Sequence, residues 1–283
     1  WEKNLKEFNR IFLGADAFSH QCRILNPWVI DFEYDQTIKK LTAVSSQPIE
    51  IENRALGYLI HCSLQNFEFA SEGYRIKGLY RFNEMEANNE AEAKRWTGNR
   101  NISYQRSLRF FFKSIIEGNA ETNGFEVFID KKPKNYLLGS SYFADEAEKR
   151  VFKSDLKKFI FPYSKPGIFK LLSADRLEVH HLISYAQTKA YRDLSSSVSW
   201  IEFTNGFILI SKDGSVVNID DVTTIGEFNN NRVSSMLPLN YIPGRVVVVN
   251  YLTKVNVALR LQERVYVHTD KIVFNPGGRI RFK

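Results

Sequence analysis

The sequence predicts an α+β fold dominated by β structure: antiparallel sheets with a helical N-terminus and one long packed helix, closing on the first strands of a further β-domain. Three observations predict it. Apolar residues recur at helical spacing in only two stretches, at the N-terminus and over Glu90 to Glu117. Elsewhere the apolar period is two, in short runs punctuated by Gly, Pro, Asn and Asp. Of 283 residues, 43% are hydrophobic and 14% aromatic, which suits a packed core and excludes disorder as the main state.

Taken in order, Trp1, Leu5, Phe8 and Phe12 fall on one helical face, and Gly14 is a plausible C-cap. A short helical turn from Ala15 is stopped by Pro27. From Trp28 the pattern alternates, with Ile30, Phe32 and Tyr34 on one face of a strand and Asp31, Glu33 and Asp35 on the other. Lys39 to Ser45 and Pro48 to Asn53 continue as strands. Leu56 to Phe69 and Tyr74 to Phe82 read as a hairpin across Ser71-Glu72-Gly73. The stripe Trp96, Arg100, Tyr104, Leu108, Phe111 and Ile115 then marks one helix over Glu90 to Glu117, ended by Gly118. A strand at Phe125 to Ile129 precedes a loop-rich insertion over about 131–167. Strands follow at Ile168 to Ser173, Leu177 to Tyr185, Ser199 to Thr204 and Phe207 to Ser211, and a short helix is expected before Pro238. Tyr241-Ile242-Pro243-Gly244 is the strongest boundary and divides the chain into 1–243 and 244–283. In the last segment, a strand at Arg264 to His268, a turn at Thr269-Asp270-Lys271 and two further short runs are too little to bury a core alone. The chain is therefore expected to be part of a longer, modular protein.

Net charge is +7, from 39 Lys plus Arg against 32 Asp plus Glu, with basic clusters at Lys149 to Lys170 and Arg260 to Lys283. No zinc-finger, RNA-recognition or helix-turn-helix pattern accompanies them, so nucleic acid is not an expected partner. They read as a solvated basic face, or as a surface for acidic glycans, phosphate-bearing lipid heads or an acidic protein. No apolar run approaches the roughly 18–20 residues of a membrane helix, so no transmembrane segment is expected in this chain. A targeting segment is expected to be absent or already removed. Cys22 and Cys62 allow one disulfide or two buried thiols.

Catalytic signatures are missing. His180-His181 invites a metal, but neighbours on a strand point to opposite faces and cannot share an ion. Asp31, Glu33 and Asp35 with Glu50 and Glu52 would form a surface able to attract Ca²⁺ if their strands paired; otherwise they are the wet side of a sheet. No other cofactor is indicated. There is no GxSxG, HExxH or CxxC, and Cys22 with His20 lacks a third, orienting group. Phe110, Phe111 and Phe112 span too much of a helix to face one core, so the helix is buried on two sides or one Phe meets a partner.

Two resemblances are carried by specific blocks. Phe12-Leu13-Gly14, Cys22 to Pro27, Pro48 to Tyr58, Asn99-Arg100 with Tyr104, Ser107 and Phe111, Gly124-Phe125, and Gly226-Glu227-Phe228 with Arg232-Val233 and Met236 to Pro243 together resemble a Bacteroidota cell-envelope family labelled carboxypeptidase-like regulatory-domain proteins. The resemblance covers residues 1–243, without the transthyretin-like domain that gives the family its label. It implies an exported protein of the periplasm or outer membrane and no catalytic residues. Val265 to Lys271, Pro276-Gly277 and Ile280 to Lys283 resemble the start of an MG2-type macroglobulin domain, which implies the start of an immunoglobulin-like sandwich; Phe274 and Gly278 depart from that pattern. The combined expectation is a non-enzymatic accessory or scaffold module that docks onto an outer-membrane protein complex. The alternatives are a glycan-binding module using Trp28, Trp96 or Trp200, and a hydrolase with an unrecognised site within 131–167. The candidate partner or glycan surface is Trp28, Trp96, Phe110, Phe112 and Trp200.

Overall fold

The computed structural model describes residues 1–71, 73–130, 152–153, 155–181, 197–230, 232–244 and 266–273. Helix α1 (Glu2–Phe12) carries the predicted stripe and buries Phe8, Ile11 and Phe12. These rings pack on the inner face of an antiparallel sheet, with Phe8 4.8 Å from Phe12 and 4.6 Å from Phe67 between centroids. The sheet comprises β1 (Cys22–Ile24), β2 (Ile30–Asp35), β3 (Lys40–Ser45), β4 (Ile49–Asn53), β5 (Tyr58–Ala70) and β6 (Gly73–Glu84). Strand β5 organises it. β6 pairs along one side of β5; on the other side β4 takes its first half and β3 its second, with β1 beyond β4 and β2 beyond β3. A register shift at Leu64/Asn66 separates the halves.

The helix expected over Glu90 to Glu117 is two helices, α2 (Glu90–Gln105) and α3 (Leu108–Glu117). Ser107 makes the break. Its backbone is extended and its hydroxyl accepts from Phe110 N, a capping bond that competes with a continuous helix. Gly118 ends α3 in the left-handed conformation, as read from the sequence.

Helix α3 packs on a second β unit. A five-stranded antiparallel sheet runs β14-β12-β11-β7-β8, from β7 (Phe125–Asp130), β8 (Phe152–Lys153), β11 (Arg176–His181), β12 (Ser197–Phe203) and β14 (Val222–Gly226). A three-stranded sheet runs β13-β10-β9, from β9 (Ile160–Pro162), β10 (Ile168–Leu172) and β13 (Phe207–Ser211). Phe111, Phe112 and Ile115 share one core with Leu171, Leu177, Val179, Ile201 and Ile208. Within the predicted insertion, 131–151 lie outside the described residues, including Ser140-Ser141, while 152–167 contribute β8, β9 and a hairpin. Strand β15 (Tyr266–Val273) runs straight through the turn expected at Thr269-Asp270-Lys271 and pairs with β6 of the first sheet, Tyr266 opposite Tyr80 and Val273 opposite Gly73. That tripeptide has no Gly, Pro or Asn to force a reversal. The rest of the expected sandwich, 274–283, lies outside the described residues.

Candidate functional site

Four of the five aromatic residues expected at a surface are built into the interior. Trp96 is 4% exposed. Its indole N–H donates to Arg54 O at 2.8 Å and its ring lies on Gly57, where a Cβ would stand 2.3 Å from the ring; Gly57 also has φ +70°. Trp200 is fully buried in β12. Phe112 is fully buried beside Phe111, and Phe110 packs half-buried between Tyr104 and Phe125, so all three rings pack with one core cluster. Only Trp28 stays open, at 74% exposure. Of the rings offered for glycan binding, Trp28, Trp96 or Trp200, Trp28 alone is exposed and the other two are corrected to core residues.

The blocks that carried the family resemblance meet in a structural latch. Arg100 donates to Leu56 O and Gly57 O and lies 4.0 Å above the Tyr58 ring. Asn99 donates to Ala55 O and Asn53 to Ser234 O. Arg232 reaches Ile11 O at 2.6 Å, and the Ser234 hydroxyl donates to Asp16 Oδ1. Burial raises the Asp16 pKa above the usual carboxylate range. The expected helix before Pro238 is a 3-10 turn, Val233–Ser235, held by these bonds. These groups tie α1, the β4–β5 turn, α2 and the 232–241 segment together. They are occupied by structure.

Chemistry-bearing residues are dispersed in the same way. Cys22 and Cys62 are free thiols, each pushed up to about 12 by burial. The five carboxylates of the Ca²⁺ reading do not assemble, because β4 pairs with the first half of β5 while β2 lies beyond β3, which pairs with the second half. Glu52 instead accepts from Arg54 and Arg23, which lower its pKa. Among the described residues no group of three His, Cys, Asp or Glu could hold a metal.

His180 and His181 face opposite ways, as expected. His181 stacks on Phe125 at 4.2 Å, and burial lowers its pKa to about 4. His180 Nε2 lies 2.5 Å from Glu178 Oε1, whose other oxygen accepts from Trp200 Nε1 at 3.2 Å, with the Arg176 guanidinium 5.9 Å from the Trp200 ring. Glu178 was missed in the sequence, although its spacing of two from His180 places both on one strand face. The register neighbours of the pair on that face are Glu126, Phe128, Val198 and Trp200. None of these four register neighbours carries a hydroxyl or thiol.

The open feature is the edge formed by β2 and β3. Among the described residues β2 pairs with β3 alone. Ser46 N donates to Val29 O, and Thr42 Oγ1 to Glu33 O, so the odd-numbered backbone groups turn towards β3. By antiparallel alternation, those of Ile30, Phe32 and Tyr34 turn outward. Ile30 O accepts the Trp1 indole N–H at 3.0 Å; among the described residues the outward groups of Phe32 and Tyr34 have no strand beside them. Trp28, Val44 (63% exposed) and Tyr34 (48%) surround it. Asp31 and Glu33 lie on the outer face, opposite Val44 and Thr42, with no cation beside them among the described residues. Asp35 caps the following turn by accepting from Thr37 N and Ile38 N. No family model, curated protein or solved structure matches the chain.

Proposed function

We propose that the chain is a non-enzymatic accessory module of the cell envelope that docks onto a protein partner in an outer-membrane complex, by adding a strand of that partner to the open edge of β2. The observation that carries the reading is the β2 edge itself: outward backbone groups at Phe32 and Tyr34, flanked by exposed Trp28 and Val44 and by the acids Asp31 and Glu33, which have no cation beside them among the described residues. Strand addition uses such an edge, with main-chain bonds for affinity and alternate side chains for specificity. A second copy is the wrong occupant, because β2 against β2 sets like charges across the strands. The fitting segment alternates basic residues, opposite Asp31 and Glu33, with apolar residues on the side of Phe32 and Tyr34. The envelope location rests on the resemblance of residues 1–243.

A blocked peptide alternating lysine with valine tests the edge, with a glutamate–valine peptide as control. The lysine peptide is expected to bind. Tyr34→Pro removes an outward N–H along with the ring and should abolish binding, whereas Tyr34→Ala, which removes the ring alone, should weaken it modestly. Asp31→Lys with Glu33→Lys should reverse the preference between the peptides. Binding indifferent to Tyr34→Pro and to charge reversal would refute the edge. Recovery of the native protein in the cytosolic fraction would refute the location.

A further inference from the structure

The basic cluster flagged in the sequence at Lys149 to Lys170 plays no part in the β2 edge. Its described portion runs through β8, a 3-10 turn at Leu156–Phe159 and the β9–β10 hairpin, and every residue from Phe161 to Gly167 is exposed. The tip is held rigidly. Tyr163 N donates to Ile168 O, Ile168 N to Lys165 O, and Lys212 N to Gly167 O from the neighbouring β13 end. Ile160, opposite buried Leu171, faces the core; alternation turns Phe161 and Tyr163 the other way, 47% and 45% exposed. Phe159 is open beside them. From Leu156 to Leu172 there is no acidic residue and there are four lysines. Lys157 rests against Gly118 at the end of α3, and Lys170 lies over the Phe207 ring at 4.0 Å. Lys158 and Lys165 have no partner among the described residues.

We propose that this hairpin tip is a docking surface for a membrane bearing anionic lipid headgroups. Phe161 and Tyr163 seat at the headgroup boundary, and Lys158 and Lys165 meet the phosphates. Exposed aromatic rings interleaved with lysines are the side-chain chemistry of a membrane interface, where an apolar body and a charged tip are both satisfied. A protein strand is a poor occupant of this edge. Pro162 in β9 and Pro166 in the tip have no N–H to donate, so the ladder that β2 offers is missing here. The rigid tip also loses little conformational freedom on docking.

Vesicle flotation of the full chain tests the surface, comparing pure phosphatidylcholine with phosphatidylcholine containing roughly one third phosphatidylglycerol. The chain is expected on the anionic vesicles only. Phe161→Ala with Tyr163→Ala should reduce partitioning at least roughly tenfold, and Lys158→Gln or Lys165→Gln roughly fivefold each. A polarity-sensitive dye on Ser164→Cys, read in the otherwise native protein, should brighten as the tip enters the boundary. Three results would overturn the proposal: equal binding to both vesicles, no dye response on bound vesicles, or full retention of binding in the double aromatic variant. Equally tight binding of single-stranded DNA would also overturn it, by showing a general polyanion surface.

Discussion

Strands β2 and β11 are written in the same alternation and end in opposite surroundings. In β2, Ile30, Phe32 and Tyr34 alternate with Asp31, Glu33 and Asp35; in β11, Leu177, Val179 and His181 alternate with Arg176, Glu178 and His180. The acids of β2 lie on an exposed face of their sheet and stand in water. β11 lies between β7 and β12, and all six of its residues are buried. Water solvates the charges of β2 at little cost. The same kinds of group on β11 must find partners inside the protein, and Glu178 does so with His180 and the Trp200 indole. The period of a strand thus assigns residues to faces, and what covers a face decides what its polar groups cost.

The largest effects are expected where the buried row is broken. Glu178→Ala strips His180 and Trp200 of a shared acceptor and should lower unfolding free energy by about 3–5 kcal/mol. Trp200→Ala leaves a large void and should cost about as much, ~3–5 kcal/mol. Urea unfolding followed by fluorescence and circular dichroism measures both. A loss below about 1 kcal/mol for Glu178→Ala would mean that water reaches the row, and the contrast with β2 would collapse.

How far the sequence carried these conclusions differs between the two strands. The alternation of Ile30 to Asp35 was legible because its acids all stand on one wet face, while the other face starts buried at Ile30 and opens towards Tyr34. In β11 the same period held, but burial of the second face depends on what covers it, and covering segments distant in sequence leave no local trace. The single helix over Glu90 to Glu117 was misread for a related reason. Its apolar stripe continues past Ser107, and a hydroxyl within a helical pattern reads as an exposed position until its bond to Phe110 N is seen. Trp96 and Trp200 were misplaced because a large aromatic fits a wet platform and a dry core equally well. Gly57, which makes room for Trp96, was in plain view but had no visible partner in the sequence.

His181, on the apolar side of β11, sharpens the comparison through pH. Burial lowers its pKa from 6.5 to about 4, and a backbone contact from Asn123 only partly offsets this. Between those values the unfolded chain binds the proton and the folded chain does not. The stabilising contribution is therefore complete above about pH 6.5 and is lost as pH falls towards 4, amounting to about 3 kcal/mol. Asp16 acts with the opposite sign, since its raised pKa favours the folded state as pH falls. The useful quantity is thus the difference between the native chain and His181→Phe, which keeps the stack on Phe125 and removes the titration. The native chain should lose the additional ~3 kcal/mol between pH 6.5 and 4, and parallel pH profiles would show that His181 titrates normally.

The smallest effects belong to the edge, and their smallness carries the functional contrast. Glu33→Ala removes a charge that has no cation beside it among the described residues, and Trp28→Ala removes a ring that is 74% exposed. Each should change stability by less than about 0.5 kcal/mol in the same urea assay. The two tryptophans then separate cleanly: Trp200 costs several kcal/mol and Trp28 almost nothing, although both were candidates for one surface. A ring of that size left in water without contributing to folding is one the fold can spare for contact with something else. If Trp28→Ala instead costs more than about 1.5 kcal/mol, the ring is working within the fold, and the β2 edge loses its strongest side-chain evidence as a docking surface.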